Sequence, residues 1–154
     1  VKGTANKGGS IFMEALNHSD FSDPHTIIYG HNMKSGTMFH DLIKYEKEEF
    51  CTDNPYITFN SLYKPGIYKV ISAFYTRVSD DQPSSDEFFR YYEYRDMPDQ
   101  TMFDEYIESC KRLSLYDVEA DVNYGDELIT LSTCSYHLDD GSERFVVVAV
   151  RLDI

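Results

Sequence analysis

A cysteine and an arginine near the C-terminal end of the chain form a pair suited to thiol chemistry. Cys134 ends the β-rich segment LITLSTC, and Arg144 begins the apolar segment RFVVVAVRL after a loop around Gly141. If these segments are paired strands, the thiol and the guanidinium lie at one rim of a sheet. A thiol attacks as the thiolate, which the permanent charge of an arginine stabilises. The pattern therefore indicates a cysteine nucleophile assisted by Arg144.

A cysteine nucleophile also needs a proton donor and acceptor, and the chain has five histidines for that role. The residues alone do not choose among them. His31 follows a short predicted strand beside Tyr29 and Asn32, which would orient it or contact a substrate but could equally be packing residues. His137 lies three residues after Cys134, at a loop position that favours solvent. The remaining candidates are His18, His25 and His40.

Two serines beside the cysteine are candidate substrate contacts. Ser132 lies one alternation step before the cysteine, so a regular strand places both side chains on one face. The backbone N–H of Ser135, together with Arg144, would stabilise negative charge on a tetrahedral intermediate. Structural explanations stay open beside these roles: a buried thiol at a strand end, and an arginine that pairs with Glu143 or Asp140.

The composition suits one globular domain and counts against several classes of partner. A chain of 154 residues with a net charge of −13 can bury a sizeable core, but it lacks the clustered cations that nucleic acid or anionic lipid would need. No run of about 18 apolar residues is present, so the sequence predicts no membrane-spanning helix. The acidic residues form no spaced ligand set, and we expect neither a metal nor another cofactor.

The three cysteines do not indicate a disulfide framework. Cys110 lies on an apolar helical stripe, and Cys51 follows a predicted helix. A bond between Cys51 and Cys110 stays open on spacing alone, whereas Cys134 has the placement of a reactive group.

Six segments are rich in β-branched and aromatic residues, as strands are. They are residues 10–15, 26–29, 55–60, 66–79, 127–134 and 144–152. A helix is predicted in the connection over residues 38–50, with Thr37 as its cap. An insertion, residues 87–124, holds a second helix whose first residues, from Thr101, have capping-box spacing. The aromatic segment 88–94 is expected in the core, and the chain is predicted to be mostly β, a barrel or a sandwich.

Three motifs, in this order along the chain, resemble those of the sortases, and specifically of class B. IIYGHNM at Ile27–Met33 resembles the histidine segment of the family, and GTMFHDL after it resembles class B sequence. TLSTC at Thr130–Cys134 is similar to the nucleophile motif TLxTC, and Arg144 matches the arginine of the following strand. The helix-bearing insertion before TLSTC is also a class B feature.

The resemblance implies a cysteine transpeptidase at the surface of a Gram-positive bacterium, outside the cell membrane. Such enzymes cleave a C-terminal sorting signal after threonine, through a thioacyl-enzyme, and pass the acyl group to a peptidoglycan amine. Carried over to this sequence, Cys134 is the nucleophile, His31 the acid/base and Arg144 the oxyanion-stabilising or substrate-orienting group. Class B resemblance suggests an NPxTN-like or (S/P)PxTG-like pentapeptide and leaves the amine acceptor open.

The resemblance also implies a barrel that lacks its first strands. The family barrel generally has eight strands, and the first two lie before the segment that matches GSIF at residues 9–12. Residues 1–154 are therefore expected to form a single sortase catalytic domain truncated at the N-terminus, with the membrane anchor outside this sequence. Two alternatives stay open: a cysteine peptidase of another type, and a non-catalytic domain that binds peptides through the aromatic insertion.

Overall fold

The computed structural model describes residues 11–32, 39–135 and 140–153, and within them six strands form one mixed sheet. The strands are β1 (Phe12–Met13), β2 (His25–Tyr29), β3 (Tyr56–Thr58), β4 (Ile67–Arg77), β5 (Leu128–Cys134) and β6 (Glu143–Arg151). Their order across the sheet is β1-β2-β5-β6-β4-β3. All six predicted strands are confirmed, although the first, third and fourth are shorter than their patterns indicated.

The sheet curls into a half-barrel. Its central strands, β5 and β6, come from the C-terminal part of the chain and lie between β2 and β4 from the N-terminal half. β5 and β6 are antiparallel neighbours, whereas β2 runs parallel to β5. The other neighbours, β1–β2, β3–β4 and β4–β6, are antiparallel. The mostly β, barrel-like prediction is confirmed. Because β2 and β5 are parallel, both end at the same rim of the sheet.

Both faces of the sheet are buried, which explains the continuous apolar run of β6. One face packs against the insertion, and the other packs against the connection after β2. Alternate residues of β6 enter these two cores: Val146, Val148 and Val150 on the insertion side, and Phe145, Val147 and Ala149 on the other.

The insertion packs on the sheet through α2 (Gln100–Leu113) and a 3-10 helix (Tyr91–Glu93). The predicted cap at Thr101 is wrong, because Asp99 caps α2 by accepting a hydrogen bond from the backbone N–H of Met102 (2.8 Å). An aspartate at this position satisfies one of the free N–H groups of the first turn. The apolar stripe of α2 is buried as predicted, through Phe103, Tyr106, Ile107 and Cys110.

The connection after β2 is helical, but in two pieces. A 3-10 helix covers His40–Glu46 and α1 covers Glu48–Asp53, because Lys47 between them has an extended backbone (φ −99°, ψ 128°). The predicted cap Thr37 lies outside the described residues. Among the described helices, none is both long and apolar enough to cross a membrane.

The three cysteines do not pair. Cys51 in α1 and Cys110 in α2 are buried in the two different cores, on opposite faces of the sheet. The disulfide that spacing left open is therefore not formed. Cys134 is half-buried at the end of β5.

Candidate active site

The candidate nucleophile and its arginine face each other at the end of two paired strands. Cys134 on β5 lies directly opposite Arg144 on β6 in the antiparallel register. Opposed residues project from the same face with Cβ atoms about 5 Å apart, so the two side chains start from neighbouring positions at the rim. The two strands therefore pair as the sequence indicated.

His31 reaches the same rim through the parallel pairing of β2 with β5. Tyr29 is in register with Ser132, and the backbone N–H of Gly30 donates to the carbonyl of Ser132 (3.1 Å). His31 lies two residues beyond Tyr29, and Cys134 lies two residues beyond Ser132. The histidine and the cysteine are consequently brought level, although about a hundred residues of chain separate them.

One cleft, of about 810 Å³, is lined by all three candidate catalytic residues, His31, Cys134 and Arg144. The volume is in the range of sites that hold small ligands or short peptides. His31 is exposed at the cleft, and the other two side chains are half-buried. Aromatic residues supply much of the rest of the lining, namely Phe12, Tyr29, Tyr91 and Tyr92.

A close contact at Gly30 sets the path of the chain into His31. A Cβ atom at this position would lie 2.5 Å from Cγ of the Phe39 ring, so only glycine fits beneath the ring. The backbone N–H of Phe39 also donates to the carbonyl of His31 (3.0 Å). The connection after β2 therefore folds back over the residue that precedes the histidine.

Ser132 lies on the floor of the cleft, and its hydroxyl is already hydrogen-bonded. It is 1 % exposed, and its Oγ lies 2.7 Å from the hydroxyl of Tyr91. Burial raises the pKa of Tyr91 to about 12, with the Ser132 hydrogen bond and the Arg144 charge opposing the shift, so the phenol stays neutral. Ser132, predicted as a substrate contact, thus lines the cleft, while its hydroxyl is bound to Tyr91 of the insertion.

Deeper along the same face, His25 belongs to a buried hydrogen-bond network. Its Nδ1 donates to the carbonyl of Tyr94 (2.8 Å), which leaves Nε2 as the acceptor for the hydroxyl of Thr130 (2.6 Å). Tyr106 in turn donates to Thr130 Oγ1 (2.7 Å). Burial lowers the pKa of His25 to about 4, so this imidazole is neutral near pH 7.

The structure separates the histidines that the sequence left in competition. His18 is exposed beside Asp23, 2.8 Å away, which raises its pKa. His40 contacts the side chain of Asn32 behind the cleft. His137 lies outside the described residues. Among the described histidines, only His31 lines the cleft that contains Cys134.

Ser135 and Asn32 lie close to the nucleophile but outside the cleft lining. The N–H of Ser135, predicted as an oxyanion donor, donates to the carbonyl of Glu143 (3.2 Å), and its hydroxyl bonds the Glu143 carboxylate. Asn32 is buried and donates to the carbonyl of Cys134 (3.2 Å). Of the other predicted contacts, Tyr29 does line the cleft.

Backbone carbonyls orient Arg144. Its Nη1 donates to the carbonyl oxygens of Gly141 (2.7 Å) and Glu143 (3.0 Å). The carboxylate of Asp140, offered by the sequence as a possible partner, binds Nη2 of Arg77 (2.9 Å). The backbone just before Arg144, where the loop from β5 enters β6, therefore holds the guanidinium at the cleft.

The walls of the cleft include residues that the sequence analysis did not single out. Tyr91 and Tyr92 come from the segment predicted as core; Tyr91 is indeed buried, but both residues also line the cleft. Phe12 stacks on Tyr29 with ring centroids 5.2 Å apart, and the Tyr29 hydroxyl donates to Glu14 (2.6 Å). Only the density of aromatics in residues 88–94 signalled any of this.

Within the described ranges, no three or more His, Cys, Asp or Glu side chains are grouped to hold a metal ion. The three candidate catalytic side chains in the cleft are a thiol, an imidazole and a guanidinium.

Comparison with known proteins places the sequence in one family. The sequence model of the sortase domain matches residues 1–152. The chain is 38 % identical over 144 residues to Sortase B of Listeria monocytogenes and 30 % identical over 141 residues to Sortase B of Staphylococcus aureus. Each alignment covers 92 % of this chain, but only 53 % and 54 % of the respective relative. The chain thus spans about half the length of these curated relatives.

Solved structures give the same answer for the fold. A Staphylococcus aureus sortase B–substrate complex superposes with a TM-score of 0.80 at 29 % identity, covering 96 % of this chain and 64 % of that chain. Sortase B from Listeria monocytogenes gives a TM-score of 0.77 at 31 % identity, covering 96 % and 75 % respectively. The resemblance seen in the sequence motifs is confirmed, and the chain belongs to the sortase family.

Proposed function

We propose that this chain is the catalytic domain of a class B sortase, a cysteine transpeptidase that joins surface proteins to the cell wall. The observation that carries the proposal is the convergence of His31, Cys134 and Arg144 on one cleft in a chain of this family. Its similarity to relatives named Sortase B supports the class. By the same similarity, the site of action is the outer face of the cell membrane.

In the first half-reaction, the Cys134 thiolate attacks the threonyl carbonyl carbon of a sorting signal. Arg144 supplies positive charge and N–H donors for the oxygen that becomes negative in the tetrahedral intermediate. The bond between the carbonyl carbon and the following amide nitrogen then breaks, and the His31 imidazolium gives its proton to the leaving amine. The product is a thioester on Cys134 and a free C-terminal peptide.

In the second half-reaction, a peptidoglycan amine attacks the thioester carbonyl. The amine nitrogen loses a proton to His31, and the Cys134 thiolate leaves as the new amide bond forms. Atoms balance over the cycle because one amide bond is exchanged for another. A thioester that waits for an amine is consistent with a site reached from solvent on the His31 side, where the imidazole is exposed.

The aromatic cleft supports a peptide as the first substrate. Its lining from Phe12, Tyr29, Tyr91 and Tyr92 offers large, rigid contact area, and one related structure is described as a sortase B–substrate complex. We propose an NPxTN-like or (S/P)PxTG-like sorting pentapeptide. A related structure is described as sortase B complexed with Gly3, which makes an oligoglycine one acceptor to test beside a diaminopimelate.

Intact mass spectrometry tests the function directly. The protein is mixed with a panel of sorting pentapeptides, each extended beyond the scissile bond, with and without triglycine or a diaminopimelate peptide. We expect one pentapeptide to give a thioacyl adduct on Cys134 and a new product that contains the amine. Cys134→Ala should give neither, and Cys51→Ala, at a buried cysteine remote from the cleft, should behave as wild type.

Two results would reject the proposal in favour of a rival. Cleavage without amine incorporation for every acceptor identifies a cysteine peptidase of another type. No thioacyl adduct from any peptide, together with alkylation of Cys134 no faster than that of a small free thiol, identifies a non-catalytic peptide-binding domain.

A further inference from the structure

Behind the cleft, a side chain that has no role in the proposed chemistry binds the backbone of the nucleophile, and a second side chain binds the first. Asn32 is 6 % exposed, and its Nδ2 donates to the carbonyl oxygen of Cys134 (3.2 Å). Its Oδ1 lies 3.0 Å from Nδ1 of His40 in the 3-10 helix after β2. A chain of hydrogen bonds therefore connects the helical connection to the end of β5.

The direction of each bond in this chain is determined by chemistry. A carbonyl oxygen only accepts, so the NH₂ of Asn32 must face Cys134. The amide oxygen of Asn32 then faces His40, and it also only accepts. Nδ1 of His40 must consequently carry the proton, in either the neutral or the charged ring. The imidazole thus holds the asparagine amide in the one orientation that bonds the nucleophile.

The contact from Asn32 extends the link between β2 and β5 beyond the backbone bonds. The N–H of Gly30 donates to the carbonyl of Ser132 (3.1 Å), and the Asn32 side chain bonds the carbonyl two residues further along β5. On the opposite side, the N–H of Ser135 donates to Glu143 in β6 (3.2 Å). Both polar groups of the peptide unit after Cys134 are therefore hydrogen-bonded, one to Asn32 beyond the end of β2 and the other to Glu143 in β6.

Clamping this peptide unit fixes the backbone of Cys134 and hence the direction of its Sγ. In the proposed mechanism, that atom works between His31, which follows β2, and Arg144 in β6. A displacement of about 1 Å at a reacting atom can cost as much as a hundredfold in rate. A bond that keeps the end of β5 at a fixed distance from β2 would therefore act on the chemical step.

We propose that Asn32 is a positioning residue for the Cys134 nucleophile, and that His40 acts only by orienting the Asn32 amide. The inference rests on the proposed transpeptidase function. His40 and Asn32 line a separate cavity of about 380 Å³, on the side of α1, that shares no described residue with the catalytic cleft. Their loss should accordingly reduce kcat while KM for the peptide stays nearly unchanged.

The test is a double-mutant cycle with a rescue variant. We expect Asn32→Ala to reduce kcat about 30-fold with KM within about twofold. His40→Ala should reduce kcat about fivefold, whereas His40→Gln, whose amide can still donate, should stay within about twofold of wild type. Because His40 acts through Asn32, adding His40→Ala to Asn32→Ala should change nothing further. Asn54→Ala, at an exposed asparagine that bonds Phe50 in α1, is the matched control.

A second readout separates this inference from the proposed function. The rate of alkylation of Cys134 by iodoacetamide, followed by mass spectrometry, needs no sorting signal and should fall about fivefold in Asn32→Ala at neutral pH. Wild-type protein that alkylates selectively but joins no peptide to any amine would reject the function and leave this rate as the test of positioning. Unchanged kcat and alkylation rate in folded Asn32→Ala would overturn the inference. A double variant whose loss of kcat is the product of the two single losses would also overturn it. If Asn32→Ala does not fold, the inference is overturned by a His40→Ala variant whose kcat equals that of wild type.

Discussion

His25 and His31 project from the same side of the sheet, but they differ in burial and therefore in the chemistry open to them. His25 begins β2 and His31 follows its end, so their alternation places both toward the insertion side of β5. His25 is 0 % exposed, and both ring nitrogens are hydrogen-bonded, to Tyr94 and Thr130. His31 is exposed at the catalytic cleft. An imidazole is therefore a structural group at His25 and a candidate catalyst at His31.

The contrast extends to the polar residues of β5 on the same face. Thr130 is buried and bonded to His25 and Tyr106, whereas Cys134 at the strand end reaches the cleft. Inside the core, a polar group is tolerated only when it is hydrogen-bonded, which removes its reactivity. At the rim, the same alternation delivers side chains to a substrate. Reactivity in this fold therefore depends on where along a strand a residue lies.

Replacing each histidine in turn tests this contrast, and the largest effect should come from His31. His31→Ala should reduce kcat/KM for peptide transfer by about 10³-fold, because positioned acid–base catalysis contributes about 10²–10⁴. Its midpoint of thermal unfolding should move by less than about 2 °C, since the side chain is exposed. Transfer kinetics and a thermal melt on the same sample measure both quantities.

The matched variant is His25→Asn, which should show the opposite pattern. It leaves Thr130 with a poorer partner in the core, so the free energy of unfolding should fall by about 2 kcal/mol. At a temperature where the variant is folded, kcat/KM should stay within about threefold of wild type. If His31→Ala retains wild-type transfer, or if His25→Asn is stable but inactive, then His31 is not the acid/base.

The second prediction concerns acid stability and depends on His25. Its pKa is lowered from 6.5 to about 4 by burial, so the unfolded chain binds a proton between these values and the folded chain does not. The free energy of unfolding should therefore fall as the pH drops from 6.5 towards 4, by about 3 kcal/mol in total. Urea unfolding at intervals between pH 7 and pH 4.5 measures the slope.

Other groups titrate around this window, and they define the control. Burial raises the pKa values of Asp23 and Glu127, but their hydrogen bonds to His18 and to Lys64 outweigh it, so both pKa values are lowered. The contribution of each carboxylate to the free energy of unfolding is therefore lost mainly below the window. The pKa of exposed His18 is raised, chiefly by its hydrogen bond to Asp23, so its contribution is lost as the pH rises. His25→Asn should flatten the slope between pH 6.5 and 4.5. An unchanged slope in that variant would mean that His25 does not carry it.

Much of the site could be predicted from the sequence because it depends on local pattern. Alternation in LITLSTC and the apolar run from Arg144 indicated two strands, and an antiparallel pair places Cys134 opposite Arg144. His31 was different. β2 and β5 pair in parallel across about a hundred residues, so only the family resemblance, and no spacing rule, distinguished it from the other histidines.

The errors arose where tertiary contacts decide between equal local options. Thr101 and Asp99 both have capping chemistry at the start of α2, and the structure uses Asp99. The N–H of Ser135 stays a predicted oxyanion donor; in this structure it donates to the carbonyl of Glu143, which continues the β5–β6 hydrogen bonds by one residue. In the aromatic segment, Tyr91 is both core and cleft, a division that depends on how the insertion docks.

The smallest predicted effect compares two tyrosine hydroxyls that bond β5 at different depths. Tyr106 bonds Thr130 in the core, and Tyr91 bonds Ser132, which lines the cleft. Tyr106→Phe leaves a buried hydroxyl without its donor and should reduce the free energy of unfolding by about 2 kcal/mol. Tyr91→Phe should cost only about 1 kcal/mol, because water in the cleft can replace the lost bond. Urea unfolding of both variants measures the difference, and an equal or larger loss for Tyr91→Phe would show that water does not replace the lost bond at the rim.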